Sequence, residues 1–139
     1  MGVTLSSFQV ETKGETDIVD ITHHVNEIIG EGDITTGTAT VFVKGSTAGI
    51  STIEYESGLV SDLKSLYERL APRQGEYRHN LRWGDGNGFS HVRASLTGQS
   101  FSIPVCDKRP LLGTWQQLIL IDFDNRPRSR EVVVQIVGE

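Results

Sequence analysis

An α+β fold, with two principal helices set among mainly antiparallel strands, follows from three features of this 139-residue sequence. Apolar residues recur at helical spacing in two segments. Short runs rich in β-branched residues occur in both halves, and Gly, Pro and Asn residues separate the runs of the carboxyl half closely enough for hairpins. No shift in composition divides the chain and no long period repeats, so one domain over residues 1–139 is expected.

Leu5 to Val10 alternates loosely between polar and apolar and ends at the Lys13-Gly14 turn signal, which suits an opening strand. Asp17 or Asp20 then caps a first helix over Ile18 to Ile29, where Ile18, Ile21, Val25, Ile28 and Ile29 form one face before Gly30 and Gly32. Thr38 to Val43 and Ile50 to Glu56 read as two strands joined by a Ser-Thr-Ala-Gly connection. The second helix carries Leu59, Val60, Leu63, Leu66, Tyr67 and Leu70 and stops at Pro72, because the residue before a proline disfavours helical geometry. Pro72 to Ser90 lacks apolar periodicity and reads as a long polar loop, and strands are expected at His91 to Leu96, Ser100 to Val105, Gln117 to Phe123 and Arg130 to Val137.

Composition narrows the function classes. Hydrophobic residues at 37% and charged residues at 22% are near globular averages, which argues against disorder. Thirteen Lys and Arg against 18 Asp and Glu give a net charge of −5, which disfavours nucleic acid and an anionic membrane surface as partners. No apolar run is long enough to span a bilayer and the first residues do not resemble a signal peptide, so a cytoplasmic location is expected. Cys106, the sole cysteine, fits a reducing compartment and is expected to be a buried small apolar residue.

Chemistry concentrates in Tyr77-Arg78-His79-Asn80 and in the run from Gly84 to Leu96. Glycines at alternate positions allow backbone geometries that a Cβ would block, so Asp85 and Asn87 can direct oxygens into one cavity. His91 titrates near neutral pH, which suits metal ligation or proton transfer, and as a strand residue it would share a face with Arg93 and Ser95. Asx turns and a solvated strand face account for the same residues equally well. The run lacks the distal Glu of an EF-hand, and Val43 to Gly49 lacks the Lys and Ser or Thr that complete a P-loop, although Ser46 and Thr47 could still bind phosphate. Glu54 and Glu56 have one strand parity and face either a pocket or solvent. Thr114 and Gln116 are binding candidates beside Trp115, an aromatic expected in core or subunit-interface packing. His23 and His24, adjacent on a helix, diverge too far to clamp a metal.

The order G-S-T-A-G-I-S-T-I-E-Y-E, Y-R-H-N, G-D-G-N-G-F-S-H-V-R-A-S-L, L-G-T-W-Q and V-V-V-Q-I-V-G-E resembles the YjbQ-like family over nearly the whole chain. The resemblance implies a β-sandwich-like core, a homotrimer, and activity as a secondary thiamine-phosphate synthase acting on phosphorylated small molecules. Its motifs fall on His79, Asn80, Asp85, Asn87, His91, Arg93, Ser95, Glu54 and Gly113 to Gln116. On that reading His91, Asp85 and Glu54 are catalytic and Asp85 and His91 hold a divalent metal, magnesium or zinc. Ser46, Thr47, His79, Asn80, Asn87, Arg93, Ser95, Thr114 and Gln116 bind substrate, with Arg93 on phosphate. A metabolite-binding module and a metal-assisted hydrolase are the alternatives. The chain departs from the pattern at Lys44-Gly45-Ser46, where many relatives carry P-H-T.

Overall fold

Two antiparallel sheets pack face to face in the computed structural model, which describes all of residues 1–139. Strands β1 (Gly2–Thr12), β3 (Gly37–Val43), β5 (Ser100–Cys106), β6 (Arg109–Pro110) and β8 (Arg128–Gly138) form a five-stranded sheet in the order β1-β8-β3-β5-β6. Strands β2 (Asp17–Asp20), β4 (Ala48–Ile53) and β7 (Gln117–Asp122) form a three-stranded sheet in the order β2-β7-β4. Four helices accompany them: α1 (Thr22–Glu31), α2 (Ser57–Leu70), α3 (Arg78–Trp83) and α4 (Gly88–Thr97). The α+β class and the sandwich-like core are as expected.

Strand β7 explains the layering. Its Leu-Ile-Leu-Ile run is buried on both faces, as a central strand covered on two sides requires. Leu118 and Leu120 enter the main core with Ile21, Val25 and Ile29 of the α1 segment and with Val41, Ile103 and Val134 of the larger sheet. Ile119, Ile121 and Phe123 face a second core with Tyr67 of α2 and Ala94 of α4.

Several expectations are corrected. The first helix begins only at Thr22, and Ile18 instead lies in β2 opposite Ile121, its side chain in the second core. Asp20 still serves the helix start, accepting a hydrogen bond from the Thr22 backbone N–H at 2.9 Å. His91 to Leu96 is the body of helix α4, so the shared strand face of His91, Arg93 and Ser95 does not exist. Burial of Phe89, Ser90, Arg93 and Ala94 follows helical spacing, while Val92 and Leu96 are exposed. Finally, Cys106 ends β5 with its side chain exposed. The six-residue helix α3 interrupts the expected loop.

Candidate functional site

At the carboxyl end of β7 an ionic cluster forms a floor. Arg130 of β8 holds Asp122 bidentately, Nε to Oδ2 and Nη2 to Oδ1, both at 2.8 Å, with both residues buried. Thr12 donates to the same carboxylate, and the Asp124 backbone N–H donates to Asp122 Oδ1 at 3.0 Å. Asp124, also buried, accepts from Arg128 Nε at 2.8 Å, Thr47 Oγ1 at 3.2 Å and Asn87 Nδ2 at 3.3 Å. Burial works against ionisation of Asp124, but hydrogen bonds from Arg128, the Asn125 backbone and Asn87, with the Arg128 charge, hold its pKa below the usual carboxylate value.

Two imidazoles stand at the edge of this floor. His79 lies on α3 and His91 on α4, with ring centroids 4.5 Å apart. Gly84 ends α3 in the left-handed conformation and Gly86 repeats it, which folds the chain back so that α4 starts beside α3. Gly88 is required by contact: a Cβ there would sit 2.7 Å from Tyr77 Cβ and 2.9 Å from Asn80 Oδ1. Asn80 Oδ1 accepts from the Gly88 backbone N–H at 2.9 Å, which ties the two helix starts together. Asp85 Oδ1 is 3.7 Å from His79 Nδ1. Burial and the neighbouring His79 lower the pKa of His91, outweighing the opposite pull of Asp124, Asp85 and a backbone hydrogen bond to Ser46. His91 is therefore neutral at pH 7 and available as a proton acceptor. Asn87 Oδ1 is buried and has no hydrogen-bond partner.

The remaining candidates divide. Ser46 is exposed, whereas the neighbouring Thr47 is buried, donating to Asp124 and accepting from Arg130 Nη2 at 2.6 Å. Ser95 is one turn beyond His91 and exposed. Arg93 is buried and engaged: Nε donates to the Ala71 carbonyl at 2.9 Å, Nη1 to Thr16 at 2.8 Å and Nη2 to Glu68 at 2.7 Å, with its guanidinium over the Phe89 ring. Glu54, Thr114 and Gln116 lie at the opposite end of β7. The pairing of Ala48 with Asp122 and of Ile53 with Gln117 separates the two groups by the length of the strand, roughly 17 Å at the rise of an extended chain. Glu56 is not on β4; its carboxylate caps α2, accepting from the Gly58 and Leu59 backbone N–H groups.

Comparison with known proteins bears on this arrangement. The family model described as UPF0047 protein YjbQ-like matches residues 6–139. The chain belongs to this family. A UPF0047 protein of Methanocaldococcus jannaschii is 35% identical over 97% of this chain and 95% of its own length. A solved YbjQ-like protein of unknown function from Sulfolobus solfataricus superposes with a TM-score of 0.94 at 31% identity, covering 99% of each chain. A hypothetical protein from Aeropyrum pernix gives a TM-score of 0.91 at 31% identity, covering 98% of this chain and 99% of its own.

Within this YjbQ-like chain, no three His, Cys, Asp or Glu side chains converge in an arrangement that could hold a metal ion. His79, His91 and Asp85 supply ligand types without a closed coordination set. A Cβ on Gly45 would come within 2.7 Å of Arg130 Nη1, so a larger side chain must displace that guanidinium. Sequence reading missed Asp122, Asp124, Arg128 and Arg130. Their signal was Asp-Phe-Asp at the end of an apolar strand, where carboxylates of one parity face the same side.

Proposed function

We propose that the chain is a thiamine-phosphate synthase, condensing an aminopyrimidine diphosphate with a thiazole phosphate and releasing pyrophosphate. The observation that carries this reading is the pair of imidazoles at the edge of the ionic floor, His79 and His91 with ring centroids 4.5 Å apart, of which His91 is held towards its neutral form. A neutral imidazole accepts a hydrogen bond, and an aminopyrimidine presents N–H donors of the matching kind. Accepting from the exocyclic amine raises electron density in the ring and favours departure of pyrophosphate from the attached methylene carbon, to which the thiazole nitrogen bonds. His79 Nδ1 lies 3.3 Å from Asn80 Oδ1 and 3.7 Å from Asp85 Oδ1, and the hydroxyl of Ser46 lies on the exposed loop where a phosphate can approach.

Engagement of Arg93 favours a second reading, a metabolite-binding module without turnover, because the cation expected to meet phosphate is spent on Glu68, Thr16 and Ala71. Pyrophosphate release from the two substrates, with and without magnesium, separates the two. Synthase action predicts release that requires both substrates, yields thiamine phosphate and falls by about 10²- to 10⁴-fold in a folded His91→Ala variant. Saturable binding without release leaves the module. Full activity in the variant removes His91 from the chemistry.

A further inference from the structure

The hairpin of β5 and β6 departs from the residue preference of its own turn. Val105 pairs with Pro110 and Cys106 with Arg109, so Asp107 and Lys108 are the two central residues of the connection. Both have positive φ, 52° and 59°, as a type I′ turn requires, and glycine is the favoured second residue of such a turn. A lysine there accepts backbone strain that Asp-Gly would avoid. The turn is also pinned, since the Lys108 backbone N–H donates to the Thr35 carbonyl at 3.0 Å. Strain kept at a fixed position points to a use for the side chain.

Lys108 lines a cleft of about 460 Å³ formed by this hairpin, the first turns of α1 and the segment that leads into β7. Lys108 and Arg109 are its only charged lining residues, and neither pairs with a carboxylate. Three polar side chains around them are already committed: Thr22 accepts from the Leu118 backbone N–H at 2.9 Å, Gln116 from that of Gly113 at 3.0 Å and Gln117 from that of Tyr55 at 2.9 Å. The Asn26 amide and the Thr114 hydroxyl, in the same lining, have no partner within the chain. Only Pro110 and Leu112 are apolar, so the cleft offers little to an apolar ligand. In a chain of net charge −5 a small anion is repelled unless a local group of cations gathers it. Lysine supplies a point charge, the arginine fork two parallel N–H donors, and the amide and hydroxyl two neutral ones, a set that matches a phosphate group.

We propose that this cleft binds a phosphate group, as free phosphate or as a small phosphate monoester, on Lys108 and Arg109 with Asn26 and Thr114 as neutral donors. A volume of this order takes the organic part of a small ester as well as its phosphate. The site is separate from the imidazole pair: Gln117 of the cleft starts β7, whereas the ionic floor beside His79 and His91 lies where β7 finishes. It therefore goes beyond the synthase reading, and its test is binding rather than turnover.

Backbone amide NMR shifts at Lys108, Arg109 and Thr114 are followed while the native protein is titrated with inorganic phosphate or glycerol 3-phosphate, each against sodium chloride at equal ionic strength. Saturating shifts are expected with both phosphates and not with chloride. Tighter binding of the ester assigns the remaining space to its organic part, and equal binding assigns the site to free phosphate; either result upholds it. Lys108→Gly restores the residue that the turn favours, so its denaturant midpoint should equal or exceed the native one while phosphate affinity falls about tenfold, the loss of one charge-assisted contact. Arg109→Gln should weaken binding to a similar extent in a folded chain. His91→Ala should leave the cleft shifts unchanged, which separates this site from the histidine end. Shifts that chloride reproduces, that fail to saturate or that appear only around His79 and His91 would overturn the proposal, as would native affinity in both Lys108→Gly and Arg109→Gln. A lowered midpoint in Lys108→Gly would return the lysine to the fold and overturn its assignment to the site.

Discussion

The two ends of β7 carry comparable numbers of carboxylates and use them in opposite ways. At the Asp122 end Asp122 and Asp124 are buried, and each accepts from an arginine, a threonine hydroxyl and a backbone N–H. At the Gln117 end Asp20, Glu54 and Glu56 are exposed and none meets a cation. A buried charge without partners would cost far more than a solvated one, so pairing is obligatory at one end and optional at the other. The first end is held in one geometry by its partners; the second leaves its charge to solvent.

Removing one partner of the buried pair gives the largest expected effect. Arg130→Ala leaves Asp122 charged and unpaired at 0% exposure and should lower unfolding stability by about 3–5 kcal/mol, read from denaturant midpoints. A change below about 1 kcal/mol would mean that the cluster relaxes or admits water, and the contrast between the two ends would weaken. Arg93→Met comes next. It removes hydrogen bonds to Ala71, Thr16 and Glu68 while keeping an apolar stem against Phe89, and a loss of about 1–3 kcal/mol is expected. If Arg93 has only this packing role, substrate KM stays the same in the folded variant; a large rise in KM would return it to the phosphate site.

Legibility in the sequence followed the same division between paired and unpaired side chains. Strands β1, β3, β5, β7 and β8 and helix α2 announce themselves because burial on a single face, or on both faces of β7, writes a simple apolar pattern. Helix α4 does not, since its buried face includes Ser90 and Arg93, polar residues admissible there only because the Asn87 carbonyl and the Ala71, Thr16 and Glu68 acceptors are waiting for them. Those partners come from distant segments, and no local period reveals them. The site was legible for a related reason only in part: glycine spacing exposes Asp85, Asn87 and His91, whereas Asp124 and Arg130 join through strand pairing. The separation of Glu54 from His91 is a property of β4–β7 register, visible only in the fold.

Acidification probes the buried end more gently. His91 has a folded pKa below its ordinary value, so the unfolded chain binds its proton first as pH falls from about 6.5. Stability contributed by the neutral ring is thus present above about pH 6.5 and is lost progressively below it, down to the folded pKa. For Asp124, also lowered, the contribution is present above the ordinary carboxylate range and is lost as pH falls through the folded pKa. Denaturant midpoints between pH 7 and pH 5 should therefore fall in the native protein and fall less in His91→Gln; equal slopes would remove His91 as the titrating group.

Trp115→Ala should do least. A side chain 73% exposed contributes little packing, so denaturant midpoints should report a change of less than about 0.5 kcal/mol. A larger loss would show that the open end of β7 depends on this ring for packing, and the contrast between a tightly paired end and a loosely held one would weaken, because an exposed ring at the acidic end would then carry as much of the fold as the arginines do at the other.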